Sequence, residues 1–187
     1  MRLHGLFADI LESPKPLLSH QVNECVSVLS SSQREAAGLM NRFKRFVEET
    51  PFRQIEEIYG ETFRHEGVCY PYVGYHLFGD GSHRKVFLAG LEEQYQIHHF
   101  FAADEAADHI GIMLRFLARV GDEEEREEFI FLHILPALKR MLRGFVGRRT
   151  PYKKVLRALL LVLREGQETQ NDLALLRREA SEFSQGR

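Results

Sequence analysis

The chain is 187 residues long, with 44% hydrophobic residues, 28% charged residues and a formal net charge of −2. That length suits one domain, at roughly 150 residues per domain, with enough apolar residues for a packed core without disulfide or metal staples. So small a net charge excludes a strongly basic nucleic-acid binder on bulk electrostatics and leaves only local patches.

The cysteines, Cys25 and Cys69, are far apart and outside any C-x-x-C. Zinc fingers, redox pairs and disulfide frameworks are unsupported, and a reducing compartment is expected. His4 and Asp9 interrupt the opening residues, so no secretory leader is read there. No window reaches the ~20 apolar residues of a membrane span. The expectation is a cytoplasmic protein without stable membrane insertion.

Leu3–Leu11 reads as a first short helix, stopped by Ser13-Pro14-Lys15-Pro16. Leu17 to about Ser30 reads as a second, with Val22, Val26 and Leu29 on one stripe, and Ser30-Ser-Ser32 offers an N-cap for the next. Gln33–Glu49 is amphipathic, with Ala36, Leu39, Met40, Phe43 and Val47 inward. Thr50 is expected to cap a helix with Pro51 at its first position, carrying Phe52, Ile55, Ile58 and Tyr59 toward Phe63.

The stretch 67–81 is rich in aromatics, glycine and proline and lacks a helical period. It reads as an ordered connector in which any strand would be alone. Ser82 is expected to cap a helix over Arg84–Gln96, with Phe87, Leu91 and Tyr95 inward. His98-His-Phe-Phe101 reads as a loop.

In the central helix, Ile110, Met113, Leu114 and Leu117 form one stripe and Ile112, Phe116 and Val120 extend it, so burial among other helices is expected. Asp104, Glu105, Asp108 and His109 would form its polar mouth at the bundle rim. Gly121 ends it, and Asp122-Glu-Glu-Glu125 resembles a capping box.

The next helix shows two stripes, Phe131, Leu135, Leu138, Leu142, Phe145 and Ile130, Ile134, Ala137, Met141, with Pro136 expected to kink it. Thr150-Pro151 opens a Leu-rich helix over Tyr152–Leu163, and Thr169-x-x-Asp172 caps a last one to about Phe183. The expected fold is all-α, one helical-bundle domain over 1–187 with about eight or more helices.

His98, His99, Asp104, Asp108 and His109 crowd within twelve positions and offer metal-ligand chemistry. A metal- or ligand-dependent helical enzyme or sensor using cluster 98–109 is therefore the alternative reading. The plainer one is a helix N-terminus with favourable acids. No G-x-S-x-G, Walker loop or G-x-G-x-x-G occurs, so catalysis has no positive support. The basic run Lys139, Arg140, Arg143, Arg148, Arg149, Lys153, Lys154, Arg157 is partly structural, but Arg148, Arg149 and Lys153 are placed to hold an anion. The aromatics of 67–81 beside acids suit a peptide groove.

Tyr59-Gly-Glu-Thr-Phe63, Cys69-Tyr-Pro-Tyr-Val-Gly-Tyr-His-Leu-Phe-Gly-Asp80, Arg84-Lys-Val-Phe-Leu-Ala-Gly-Leu-Glu-Glu-Gln-Tyr95 and the block Glu105–Ala118 together resemble the NarJ-type nitrate-reductase delta-subunit chaperones. The resemblance implies an all-helical cytoplasmic maturation chaperone that is not an enzyme and needs no cofactor of its own. It implies transient binding of the N-terminal peptide of a molybdoenzyme catalytic subunit during molybdopterin insertion. Carried onto matching positions, the peptide site is Tyr70, Pro71, Tyr72, Phe78, Glu105, Asp108, His109 and Phe116. Glu105 and Asp108 are expected to pair with basic client groups, Tyr72 and Phe116 to line the apolar wall, and His109 to tune binding near neutral pH. Asp108→Asn is expected to weaken client binding without unfolding the chain.

Overall fold

The computed structural model describes residues 2–29, 33–64, 67–102 and 105–166. Helix α1 (Arg2–Leu11) lies against α2 (Leu18–Val28), and α2 against α3 (Arg34–Glu49). The α3 stripe is as read: Ala36, Leu39, Met40, Phe43 and Val47 are all buried. The expected Ser30–Ser32 cap and the helix after Thr169 fall outside the described residues.

Helix α4 (Phe52–Phe63) starts one residue later than expected. Pro51 occupies its N-cap with an extended ψ of 140°, and Thr50 ends α3 instead of capping α4. Ile55, Tyr59 and Phe63 are buried, but Phe52 is exposed.

The connector contains a six-residue helix, α5 (Val73–Phe78), too short to show a helical period in the sequence. Arg140 stabilises its end by donating from Nη1 to the His76 and Leu77 carbonyls at 2.6 and 2.8 Å. That member of the basic run is therefore structural. Helix α6 (Ser82–Ile97) begins two residues before the expected start, with Gly81 at its N-cap and Ser82 inside the helix.

Helix α7 (Ile110–Leu117) is the centre of the core: every residue except Arg115 is buried. It packs on α1, and Gly111 permits the approach. A Cβ there would stand 3.3 Å from the Ala8 carbonyl oxygen. Arg115 bridges the same two helices, reaching Asp9 at 2.7 Å and also Glu12. The helix is shorter than expected at both ends. Residues 105–109 form its approach, and Ala118 closes it three residues before Gly121.

Asp122 caps α8 (Glu123–Phe129) as read, accepting the Glu125 N–H at 3.0 Å. A π-type turn (Ile130–Ile134) joins α8 to α9 (Leu135–Gly144). Pro136 has no N–H to offer, and the chain widens one turn upstream, where Leu135 N–H reaches back to Ile130 O. The extra residue in the turn rotates the apolar face by about 100°. Phe131 consequently points to solvent at 64% exposure, against the expected stripe, and Leu132 beside it is 49% exposed. Leu135, Leu138, Phe145 and the Ile130 stripe remain buried.

A tenth helix, α10, covers residues 152–166. Its first side chain, Tyr152, is fully buried, with Phe43, Tyr59 and Phe63 at ring distances of 5.1–5.4 Å. Among the described residues, no helix is long and apolar enough to cross a membrane.

Candidate functional site

Two short extended segments hold the site together. Val73 N–H donates to Asp108 O and Ile110 N–H to Pro71 O, both at 2.8 Å. These bonds pin Tyr72 opposite His109 as an isolated antiparallel bridge. The lone extended segment admitted by the sequence is thus paired with the approach to α7.

In front of this bridge lies a cleft of about 800 Å³. Tyr70, Pro71 and Tyr72 from the connector, Tyr59 and Phe63 from α4, and Ile112 from α7 give it an apolar wall. Glu12 and Lys15 after α1, Arg64 after α4, and Glu105 supply charge at its edge. Its size is that of a ligand or short-peptide site.

Glu105 is exposed and accepts the Tyr72 hydroxyl at 3.1 Å and the Ala106 N–H at 3.2 Å. It makes no ion pair among the described residues. Glu12 is already committed to Arg115 and Lys15. Burial and the neighbouring Glu105 carboxylate raise the Tyr72 phenol above its ordinary pKa, so it remains a proton donor.

His109 is 3% exposed. Its Nδ1 accepts the Gly111 N–H at 3.1 Å, so the ring caps α7 with a lone pair that only the unprotonated nitrogen has. Burial lowers its pKa, against opposing pulls from Glu105 and Asp108. Its role at neutral pH is that of a neutral cap.

Asp108 is not at the rim. It is fully buried, and its carboxylate takes Arg84 Nε at 2.8 Å and Nη2 at 3.1 Å. The cation expected from a client is already present from α6, and the carboxylate is closed off from the cleft. The Arg84 guanidinium also lies 5.2 Å from the Tyr72 ring centroid, so one arginine supports both the buried acid and the cleft wall. Gly74 makes room for this pair: a Cβ there would meet Asp108 Oδ2 at 2.7 Å and the Phe87 ring at 2.8 Å.

Of the eight residues carried over from the resemblance, the cleft brings together Tyr70, Pro71, Tyr72, Glu105 and His109. Phe116 is buried among Tyr95, Phe100 and Phe129 and lines no part of the cleft. Phe78 is half exposed and packs on Phe87, away from the cleft lining. Glu12, Lys15, Arg64 and Ile112 also line the cleft, although the sequence assigns none of them a site role and gives Ile112 only a place on the buried surface of α7. No local pattern links Glu12 to Glu105, because their meeting depends on α1 packing against α7.

The His/Asp cluster is dispersed. His98 bonds Glu125 at 2.8 Å, Asp108 holds Arg84, and His109 caps its own helix. Asp104 lies outside the described residues. No group of three or more metal-ligating side chains converges among the described residues. Both cysteines are buried, and burial pushes their thiols up to about 12, which leaves them unreactive near neutrality.

This helical architecture is a fold shared with a solved candidate redox enzyme maturation protein. A solved structure of a candidate redox enzyme maturation protein from Archaeoglobus fulgidus superposes with a TM-score of 0.60 at 18% identity, covering 88% of this chain and 94% of that one. The sequence profile of the nitrate reductase delta subunit matches residues 30–148, and the chain belongs to that family. No curated protein matches the chain. The matched span includes the resemblance blocks, and with them α4, the connector and α7, which line the cleft.

Proposed function

We propose that the protein is a cytoplasmic, system-specific chaperone, one domain over 1–187, acting on a molybdoenzyme such as nitrate reductase or a relative. It binds the N-terminal segment of the catalytic subunit in the cleft and holds it while the molybdopterin cofactor is inserted. It performs no catalysis itself. The observation that carries this reading is the cleft: an apolar aromatic wall with an exposed carboxylate, Glu105, that has no cationic partner among the described residues. That combination suits a peptide presenting apolar side chains and one basic group.

Tyr72 supplies contact area at the wall and orients Glu105 through its hydroxyl. Tyr70, Pro71 and His109 complete the wall and floor. Asp108 acts from beneath: with Arg84 it fixes Tyr72 and the approach to α7. Phe116 acts similarly through the core.

The test is calorimetric titration of the full chain with N-terminal peptides of molybdoenzyme catalytic subunits encoded in the same genome. One peptide should bind with a dissociation constant of about 1 μM or tighter, about −8 kcal/mol. Glu105→Gln and Tyr72→Ala should each weaken it by roughly tenfold or more, as truncation of an interface anchor does. Absence of binding by every peptide, or full affinity in both variants, would overturn the assignment.

A further inference from the structure

A second cleft, of about 410 Å³, lies where the segment after α9 meets the start of α10. Five cations line it: Arg148, Arg149, Lys153, Lys154 and Arg157. Leu39, Thr150 and Pro151 complete the lining, and no carboxylate belongs to it. Such a concentration of positive charge is not a by-product of composition, since the chain as a whole carries a net charge of −2.

The local backbone builds the concentration. Gly147 turns the chain with a φ of 75°, a conformation that suits glycine, and Arg148 N–H closes the turn on Phe145 O at 3.1 Å. The turn sets Arg148 and Arg149 immediately before α10, whose first turns carry Lys153, Lys154 and Arg157. Lys153 reaches back to Phe145 O at 3.4 Å, which ties the helix start to the turn. Thr150 Oγ1 lies 2.9 Å from Thr62 Oγ1, which fixes the segment to α4.

Among the described residues only one of the five cations has an acidic partner: Arg157 pairs with Glu35 of α3 at 2.8 Å. Arg148, Arg149 and Lys154 make no ion pair among the described residues. Ordinary surface charge is interspersed by sign, as it is on α8, where Arg126 meets Glu123. Cations drawn into one concave site without counter-charges repel one another, and a multiply charged anion removes that repulsion.

We infer that this cleft is a binding site for a small phosphate-bearing ligand, recognised through a di- or triphosphate group by Arg148, Arg149, Lys153 and Lys154. The two arginines offer forked N–H pairs to phosphate oxygens, and the lysines supply compact charges. The cleft suits a small molecule better than a duplex or a membrane, because its cations surround a recess instead of tracking along a flat face. The site is independent of the aromatic cleft and of the proposed chaperone function.

The experiment is calorimetric titration of the full chain with inorganic tripolyphosphate at about 0.15 M salt, where exposed charges are screened beyond about 8 Å. Saturable one-to-one binding is expected. Arg148→Ser/Arg149→Ser should weaken it at least about tenfold, since each arginine offers strong charge-assisted bonds. Lys154→Ser should weaken it as well. Lys139→Ser/Arg143→Ser removes equal charge elsewhere and should leave it unchanged.

Circular dichroism should be unaltered in all variants, because neither exposed arginine makes a side-chain bond among the described residues. Adenosine triphosphate should compete with tripolyphosphate, and adenosine should not. Absence of saturable binding, an equal loss in the Lys139/Arg143 variant, or competition by adenosine alone would overturn the proposal. So would binding only to anionic vesicles or to single-stranded DNA.

Discussion

Arg84 and Asp108 form a two-point ion pair that joins α6 to the approach of α7, with the carboxylate fully buried and the arginine side chain 18% exposed. The pair stands under Tyr72 and behind Gly74, so it governs the shape of the aromatic cleft without lining it.

Removing one partner of a buried pair leaves the other charge uncompensated and costs about 3–5 kcal/mol when both are buried. The partial exposure of Arg84 and its second acidic partner, Asp80 at 3.4 Å, place Asp108→Asn at or below the lower end of that range. Urea denaturation should show this loss, and Arg84→Met/Asp108→Asn should recover part of it. A double variant no more stable than Asp108→Asn would show that packing, and not the guanidinium deprived of its buried partner, sets the loss. The sequence-based expectation put the effect of Asp108→Asn on client binding without unfolding of the chain; burial of the carboxylate adds a cost in stability.

Tyr152 is fully buried among three aromatic rings, and its hydroxyl has no hydrogen-bond partner among the described residues. An unpaired buried polar group carries a penalty of about 1–3 kcal/mol, while the ring provides the packing. Tyr152→Phe should therefore leave the unfolding midpoint unchanged or raise it. A loss above about 1.5 kcal/mol in urea denaturation would mean that the hydroxyl is satisfied in solution.

Burial lowers the His4 pKa to about 4, with the chain's N-terminal charge and Arg126 acting in the same direction. The unfolded imidazole keeps its ordinary value of 6.5. Below that value the unfolded chain takes up a proton that the native chain refuses. Stability is thus complete above 6.5 and falls as the pH drops toward 4. His76, His109 and His133 are shifted in the same direction, chiefly by burial, and add to the slope. Urea midpoints should decline steadily from about pH 7 to about pH 4.5, and His4→Leu should flatten part of the decline. An unchanged slope in that variant would remove His4 from the explanation.

Periodicity and capping chemistry act over one or two turns, and this part of the fold was legible in the sequence. The α3 stripe, the Asp122 cap and the buried character of α7 needed only the spacing of apolar residues and the choice of capping side chain. Five of the cleft residues came from motif resemblance, which points to positions without explaining how they meet. What α5 does depends on a contact at longer range, and the π-type turn shifts the register in a way that apolar spacing does not show. Arg140 holds the end of α5 from 64 residues away, and Pro136 exposes Phe131 by widening a turn upstream of itself.

The sequence by itself determined an all-helical chain, the faces that most helices bury, and the family to which it belongs. Tertiary structure alone decided which acid remains available. Asp108 and Glu105 are three positions apart on the same approach to α7, and nothing in their spacing distinguishes them. Packing of α6 places Arg84 on Asp108 and removes it from the surface, while the Tyr72–His109 bridge leaves Glu105 at the edge of the cleft. Burial and pairing depend on which distant helix arrives alongside, and that is settled only when the core closes.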